Sequence, residues 1–391
     1  MSAETVHANE LDAGDETLML ESIDRWLERD VRPHVKRFDH ADEYPHAIVE
    51  QMRELGLFGA TIGRDYGGLG LSVETYARIV ARIAEVWMSL TGVFNSHLIM
   101  SAILERRGTE AQKREFLPRF AAGELRGALS LTEPDAGTDL QGIRTRAVRD
   151  GDEYVVNGTK MWTTNGVHGS CFAVLVKTDP DAEPRHKGMA MLLAEKGPGF
   201  EVAGQLRKLG YKSIDTAELV FQDYRVSVDR LIGGEEGHGF HQAVGGLELG
   251  RINVAARGVG LAKAALMDSI AYAQVRKTFG KPICQHQAIQ LKLADMATRY
   301  EAARLLTEQA ARAYDAGERC DLEAGMAKLH SSEAALSNAE DAMRIHGAYG
   351  YSTELDIERY FRDAPLLCIG EGTNEIQRLI IARQLVARNP V

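Results

Sequence analysis

A glutamate flanked by two glycines, Gly370-Glu371-Gly372, stands at the mouth of a run of good helix formers, Glu375, Ile376, Gln377, Arg378 and Leu379. Two glycines cost backbone entropy on folding and give no packing in return. Why a lone carboxylate stands on such a turn is a question the residues alone leave open; its plain reading is a surface loop before a helix cap. Three other stretches could carry chemistry. "LTEPDAGTDL", Leu131–Leu140, offers backbone N–H groups and the Thr138 hydroxyl to a polar ligand edge, or is an ordinary polar turn. "MWTTNG", Met161–Gly166, pairs the flat apolar wall of Trp162 with the hydrogen-bonding Thr164, a setting for a planar ring, or is a strand with a core aromatic. "RKTFGKP", Arg276–Pro282, sets an arginine and a threonine where a diphosphate could lie. It also fits a helix C-terminus, with cations, a glycine cap and a following proline.

The elements that must position these residues follow from periodicity. From residue 15 to about 125 apolar residues recur at helical spacing, as in "LESIDRWLERDVRPHVKRF", "HAIVEQMRELGLFG" and "ETYARIVARIAEV". From Leu129 to about Gly233 the texture is β-rich. Asp150-Gly151 and Asn157-Gly158 read as hairpin turns between short strands, and "CFAVLVKTD", "GMAMLLAEK", "FEVAG" and "AELVFQDYRVSV" follow as strands. The helical period then returns in long runs that end at Gly280, Gly317 and Gly347, with a last helix from near Thr373. Helices, strands and helices in blocks exclude an alternating α/β fold and predict a terminal bundle.

Bulk properties narrow the function. A chain of 391 residues exceeds one ordinary core and predicts two or three domains. A formal net charge of -10 argues against nucleic-acid or anionic-membrane partners. The four cysteines, Cys171, Cys284, Cys320 and Cys368, lie far apart, as reduced thiols in a reducing compartment would. The acidic N-terminus has no apolar segment of a secretory signal, and no stretch reaches the ~20 apolar residues of a membrane span, so a cytoplasmic location is expected. No G-x-G-x-x-G follows a strand and no P-loop occurs, which excludes a Rossmann domain. His34, His40 and His46 recur every six residues and share no helix face, so no metal site is predicted.

Together the stretches resemble the acyl-CoA dehydrogenase family, over nearly the whole chain. The resemblance rests on "LTEPDAGTDLQGIRTRA", "NGTKMWTTNG", "RKTFGKPICQHQAIQ", "RIHGAYGYSTELDIERYFRDA" and "IGEGTNEIQR". It implies a multidomain α+β fold: an N-terminal α-helical domain (1–126), a middle β-barrel (127–236) and a C-terminal four-helix bundle (237–391). It implies FAD bound without a Rossmann fold, and Glu371 as the base that removes the α-proton of an acyl-CoA while the β-hydrogen leaves as hydride to flavin N5. Electrons then go to an electron-transferring flavoprotein, and the assembly is a homotetramer built as a dimer of dimers.

The resemblance also assigns roles. Leu129, Leu131, Thr132, Gly137 and Thr138 line the flavin's pyrimidine side, and Trp162 and Thr164 cover the ring. Arg276, Thr278, Phe279, His286 and Gln287 reach the FAD of a neighbouring subunit. Thr373 contacts FAD at the start of the last helix. Thr138, Glu248, Arg251 and Gly372 face the acyl-CoA. Some relatives carry the base just before the arginine of "GLELGRINVAA"; Gly250 stands there here, with Glu248 two residues back. Arg344 and Ala348 replace the family's usual glutamine and glycine. Gly370 stands where some straight-chain relatives have tyrosine, and "SLTGVFNSHL" lacks the arginine that glutaryl-CoA relatives use, so a short or branched uncharged acyl group is expected. Two other functions fit the same fold: a flavin oxidase or monooxygenase, and a nucleic-acid-binding damage-response flavoprotein, which the acidic charge disfavours.

Overall fold

The computed structural model describes residues 13–390; most of the acidic N-terminus lies outside them. The chain opens with six helices: α1 (Ala13–Trp26), α2 (Val35–Ala41), α3 (His46–Glu54), α4 (Val73–Trp87), α5 (Leu90–Arg107) and α6 (Glu110–Ala121). Pro33 explains why the first periodic run is not one helix: π and 3-10 turns link α1 to α2 around it. Helix α4 starts at Ser72, whose side chain accepts from the Thr75 N–H, and α6 starts with a capping box between Thr109 and Gln112.

Seven strands follow: β1 (Gly127–Ser130), β2 (Arg146–Asp150), β3 (Glu153–Thr164), β4 (Cys171–Lys177), β5 (Met189–Glu195), β6 (Phe200–Gln205) and β7 (Thr216–Ser227). They form one sheet in the order β1-β4-β2-β3-β7-β6, with β5 also on β4. Aromatic rings close the curl: Phe200 of β6 stacks on Phe172 of β4 at 5.5 Å and meets Phe221 of β7 edge-on at 4.8 Å. Asp150-Gly151 does turn the chain between β2 and β3. Asn157-Gly158 does not: it lies within β3 at a register shift. Asn157 pairs through its amide with Asp223 across the sheet, and a Cβ on Gly158 would stand 2.5 Å from the Thr145 hydroxyl. The glycine serves close approach between strands, not a turn.

The C-terminal region is built on α7 (Gly239–Val275), 37 residues long, with α8 (Gln287–Asp315), α9 (Asp321–His346) and α11 (Asn374–Arg388) as the expected helices. A further helix, α10 (Ile357–Ile369), was not legible because Pro365 sits inside it. Helix α7 ends five residues before Gly280. Arg276 is its extended cap, and Phe279-Gly280 forms the two-residue loop of a small hairpin, β8 (Lys277–Thr278) with β9 (Lys281–Pro282). Both loop residues have positive φ, 51° and 77°, the backbone of a type I′ turn. Helix α7 touches α4, α5, α8, α9 and α10, so it joins the first and last regions through one apolar core.

Candidate active site

The turn that carries Glu371 links α10 to α11. Glu371 itself has φ 54°, a left-handed value that a residue with a Cβ rarely adopts, and Gly372 has φ 85°. Three hydrogen-bonding devices hold it. Thr373 caps α11, its hydroxyl accepting from the Ile376 N–H at 3.4 Å. Gln377, fully buried, turns back and donates to the carbonyls of Glu371 and Gly372 at 3.3 and 3.2 Å. Lys328 of α9, also fully buried, spans the turn: its Nζ donates to the Cys368 carbonyl before it and to Asn374 Oδ1 after it. Ser332, one turn further along α9, bonds the same Asn374 amide.

The Glu371 carboxyl runs inward to α7. A Cβ on Gly250 would lie 2.7 Å from its Oε2 and 2.9 Å from Ile99 Cδ1 of α5. Some of the residue's surface stays open, but the carboxyl group is enclosed, and burial raises its pKa. Arg257, Arg251 and Lys328 pull the other way. This is the environment of a base stronger than a solvated carboxylate. Glu248 is elsewhere: it meets Asp321 and lies 4.0 Å from the Cys320 sulfur at the start of α9. Burial and the hydrogen bond to Asp321 push its pKa up to about 8. Arg251, 4% exposed, stands between these acids and Glu371.

A second group of residues lies on the sheet. Trp162 has φ 61° at a register shift in β3 and is 57% exposed, a large ring held outward on strained backbone. Next to it the loop after β1 is fixed from below. Lys160, with no exposed surface, donates to the Leu131 carbonyl at 3.0 Å and to Glu133 Oε1 at 2.7 Å. Glu133 also accepts from the Arg144 and Thr145 N–H groups, and the Thr132 carbonyl accepts from the Met161 N–H at 2.8 Å. This buried pair holds Leu131 and Thr132 half-buried and leaves Gly137 and Thr138 exposed; Leu129 is half-buried on β1. Tyr211, at φ 55°, brings its hydroxyl against Gly92 of α5 and within 3.5 Å of Arg257 Nη1. Thr164 also acts on that phenol.

A third group sits on the β8–β9 hairpin and around the start of α8, and both β9 and α8 pack on α7. Phe279 is 96% exposed at the tip, Arg276 and Gln287 are exposed, and His286 Nε2 lies 3.1 Å from the Thr278 hydroxyl. The residues assigned to FAD therefore fall in three places: the sheet face around Trp162, the β8–β9 hairpin with the start of α8, and Thr373 on the Glu371 turn. Arg344 pairs with Glu340 on its own helix. The three N-terminal histidines do not converge. Asp39, His40 and Glu358 do come together, but Arg362 already bridges Asp39 and Glu358, each at 2.6 Å.

Lys160, Tyr211, Arg257, Lys328 and Gln377 were missed from sequence. Lys328 and Arg257 did leave a trace, each the lone charge in a run of small and apolar residues, "AGMAKLH" and "NVAARGVG".

This geometry coincides with three family descriptions. The chain matches the acyl-CoA dehydrogenase N-terminal domain over residues 14–124, the middle domain over 128–224 and the C-terminal domain over 237–386. The chain belongs to the acyl-CoA dehydrogenase family, an oxidoreductase family that uses FAD. It is 38% identical to an acyl-CoA dehydrogenase of Bacillus subtilis, over 95% of this chain and 98% of that one. It is 38% identical to a (2S)-methylsuccinyl-CoA dehydrogenase of Cereibacter sphaeroides, over 93% of this chain and 68% of the other. The solved butyryl-CoA dehydrogenase of Megasphaera elsdenii superposes with a TM-score of 0.92 at 35% identity, covering 99% of this chain and 100% of that chain. Among the described residues no helix is long and apolar enough to cross a membrane.

The residues suit FAD on physical grounds. An exposed indole on strained backbone and a rigid polar loop beside it make a platform for a flat ring. Trp162, Thr164 and the Leu129–Thr138 segment would hold the flavin; the hairpin of Arg276, Thr278 and Phe279 suits a diphosphate.

Proposed function

We propose that the protein oxidises a short acyl-CoA thioester to its trans-2-enoyl-CoA, with Glu371 as the base. What carries this reading is the enclosed Glu371 carboxyl, held on a left-handed turn against Gly250 and raised in pKa by burial. An α-proton is far less acidic than a carboxylic acid, so its removal needs a base of raised pKa and a stabilised enolate-like oxygen. The Glu371 carboxylate takes the proton. Its own backbone N–H, freed for close approach by Gly370 and Gly372, donates to the thioester carbonyl. Arg251, Arg257 and Lys328 keep enough of the carboxyl ionised to act. Gln377 and Lys328 fix the turn so that carboxylate and N–H hold their relative positions. The chemistry that FAD supplies when bound is a hydride acceptor, flavin N5, for the β-hydrogen.

An electron-transferring flavoprotein takes the electrons onward. Gly137, Thr138, Glu248 and Gly372 are assigned to the two ligands by resemblance, and the cytoplasm remains the expected location. The assembly is the homotetramer that the resemblance implies; the exposed Phe279 and Arg276 suit contact with the FAD of one neighbouring subunit.

A panel of acyl-CoAs added anaerobically, followed by bleaching of the flavin band, tests the reading. Reduction by an acyl-CoA with slow reoxidation in air is expected; rapid reoxidation would move the assignment to an oxidase.

A further inference from the structure

Three buried cations surround the Glu371 carboxylate, and two of them, Lys328 and Arg257, share it as their one enclosed anion. Arg251 has Glu248 and Asp321 on its other side. Lys328 donates to Cys368 and Asn374. Arg257 is 4% exposed, yet both of its hydrogen-bond partners are neutral: Nε donates to Asn253 Oδ1 at 2.6 Å and Nη1 to the Tyr211 hydroxyl at 3.5 Å. Its Nη2, buried as well, has no hydrogen-bond partner among the described residues. One carboxylate between two buried cations leaves a positive excess, which is costly unless a second anion meets it.

The position of that charge is defined. Helices α5 and α7 run antiparallel: Gly246 faces Ile103, Gly250 faces Ile99, and Arg257 meets the Tyr211 hydroxyl that rests on Gly92. Arg257 lies two turns beyond Gly250 on the same face. Its side chain points back along the helix, as the bond to Asn253 requires. The guanidinium therefore stands at the level of Asn253, ~5 Å along the axis from Gly250 and the base. Across from it, between Gly92 and Ile99, α5 carries Asn95, 3% exposed, whose Oδ1 is also unpartnered. That amide can turn to offer its NH2 group instead.

We propose that Arg257, aided by Asn95, recognises a carboxylate at the far end of the acyl chain, and that the substrates are short dicarboxylic acids held as monothioesters. The proposal rests on Glu371 being the base. With the α-carbon at Glu371, so short an offset along the helix restricts the recognised acids to the shortest dicarboxylic chains. The carboxylate takes no part in the reaction: the α-proton goes to Glu371 and the β-hydride to the flavin, as for any acyl group. An arginine on α7 would thus take the part that an arginine within "SLTGVFNSHL", where none stands, would play, and the substrate would be charged rather than the uncharged one expected from the resemblance.

The test uses the FAD-loaded enzyme and four thioesters: succinyl-CoA and glutaryl-CoA against the uncharged pentanoyl-CoA and hexanoyl-CoA. Wild type is expected to reduce its flavin with a kcat/KM at least ~10-fold higher for a carboxylated substrate, since a site built for a polar group discriminates strongly. Arg257→Met is expected to collapse that ratio toward one while keeping its FAD, and Arg257→Lys to restore part of it. A wild-type preference for the uncharged pair overturns the proposal, whatever the variants do. So does loss of FAD from Arg257→Met, which would assign the arginine to the cofactor. Full turnover of uncharged substrates by Glu371→Gln, or no bleaching by any of the four, defeats instead the reading of the base on which the proposal stands, and the proposal with it.

Discussion

The Glu371 carboxylate lies against the bare Cα of Gly250, with Oε2 2.7 Å and Cδ 3.0 Å from where a Cβ would stand. Helix α7 lacks a side chain at the place where the turn's carboxylate arrives. Gly250→Ala should therefore affect chemistry more than folding. Alanine favours a helix interior over glycine by roughly 0.5–1 kcal/mol, which offsets part of the clash with Glu371 and Ile99. Expected are a melting temperature close to wild type, full FAD content and a slower reductive half-reaction by stopped flow, at least ~10-fold if the base is displaced by a fraction of an ångström. An unchanged reduction rate would show that the carboxylate works from another position.

The second prediction concerns pH. Burial raises the Glu371 pKa, so kcat/KM should climb with pH along a limb above the usual carboxylate range, because only the ionised form accepts a proton. Glu371→Gln should abolish the limb and at least ~10²-fold of the activity. Stability follows with a definite sign. A carboxyl whose folded pKa is raised favours folding while protonated, and that contribution is lost as pH rises through the folded pKa. Glu371→Gln should thus melt with wild type at low pH and above it at pH 8. A melting difference that shrinks as pH rises contradicts the burial argument.

Lys328 holds both ends of the Glu371 turn from α9. Lys328→Met keeps the volume and removes the donor, at a cost of ~1.5–3 kcal/mol for hydrogen bonds made by a charged group. The turn then loses a tether on each side of Glu371, and the base loses a cation that draws its pKa down. The expected signature is a fall in kcat larger than any rise in KM, with the acidic limb moved to higher pH. Burial pushes the Lys328 pKa down to about 8, so the wild-type turn should itself loosen above that pH. A variant that is merely less stable, with an unmoved pH profile, would limit Lys328 to a structural role.

How much of this was legible depended on what kind of signal each residue leaves. Glu371, Trp162 and Phe279 stood out in sequence beside glycines or turn residues, and all three have positive φ in the structure. Local backbone chemistry is written locally. The block order of helices and strands was equally readable, because periodicity is a property of short windows. Helix α10 was hidden by Pro365, and Asn157-Gly158 posed as a turn because the same dipeptide also suits a crowded register shift. Arg257, Lys328 and Lys160 owe their roles to partners far along the chain: Tyr211 lies 46 residues from Arg257, Asn374 46 from Lys328, and Leu131 29 from Lys160. No window of sequence holds both ends of such a contact.

Trp162 pairs strain with exposure, which makes opposite demands on a glycine there. Left-handed backbone at a non-glycine residue costs ~1–2 kcal/mol, and a side chain that is 57% exposed loses little packing when removed. Trp162→Gly should leave the FAD-free protein as stable as before or slightly more so, despite the greater freedom of its unfolded chain. FAD should be held more weakly, since the flat wall is gone. Thermal melts with and without added FAD separate the two effects. Undiminished stabilisation by FAD would mean that the indole does not cover the flavin.

Assembly gives the last prediction. The β8–β9 hairpin raises Phe279, 96% exposed, on a tight turn beside the exposed Arg276, and β9 packs against α7. If these residues complete the FAD site of a neighbour, the site exists only in the assembled protein, and FAD stabilises the assembly by mass action. Arg276→Ala removes a charge-assisted contact worth ~1.5–3 kcal/mol, so the variant should lose FAD on dilution and gel filtration. Its melting temperature should fall further below wild type at low protein concentration than at high. Wild type should run as a tetramer of 43.0 kDa chains by light scattering. A monomer that keeps stoichiometric FAD would return Arg276 to its plainer role as a cation at the C-terminus of α7, where it complements the helix dipole and nothing more.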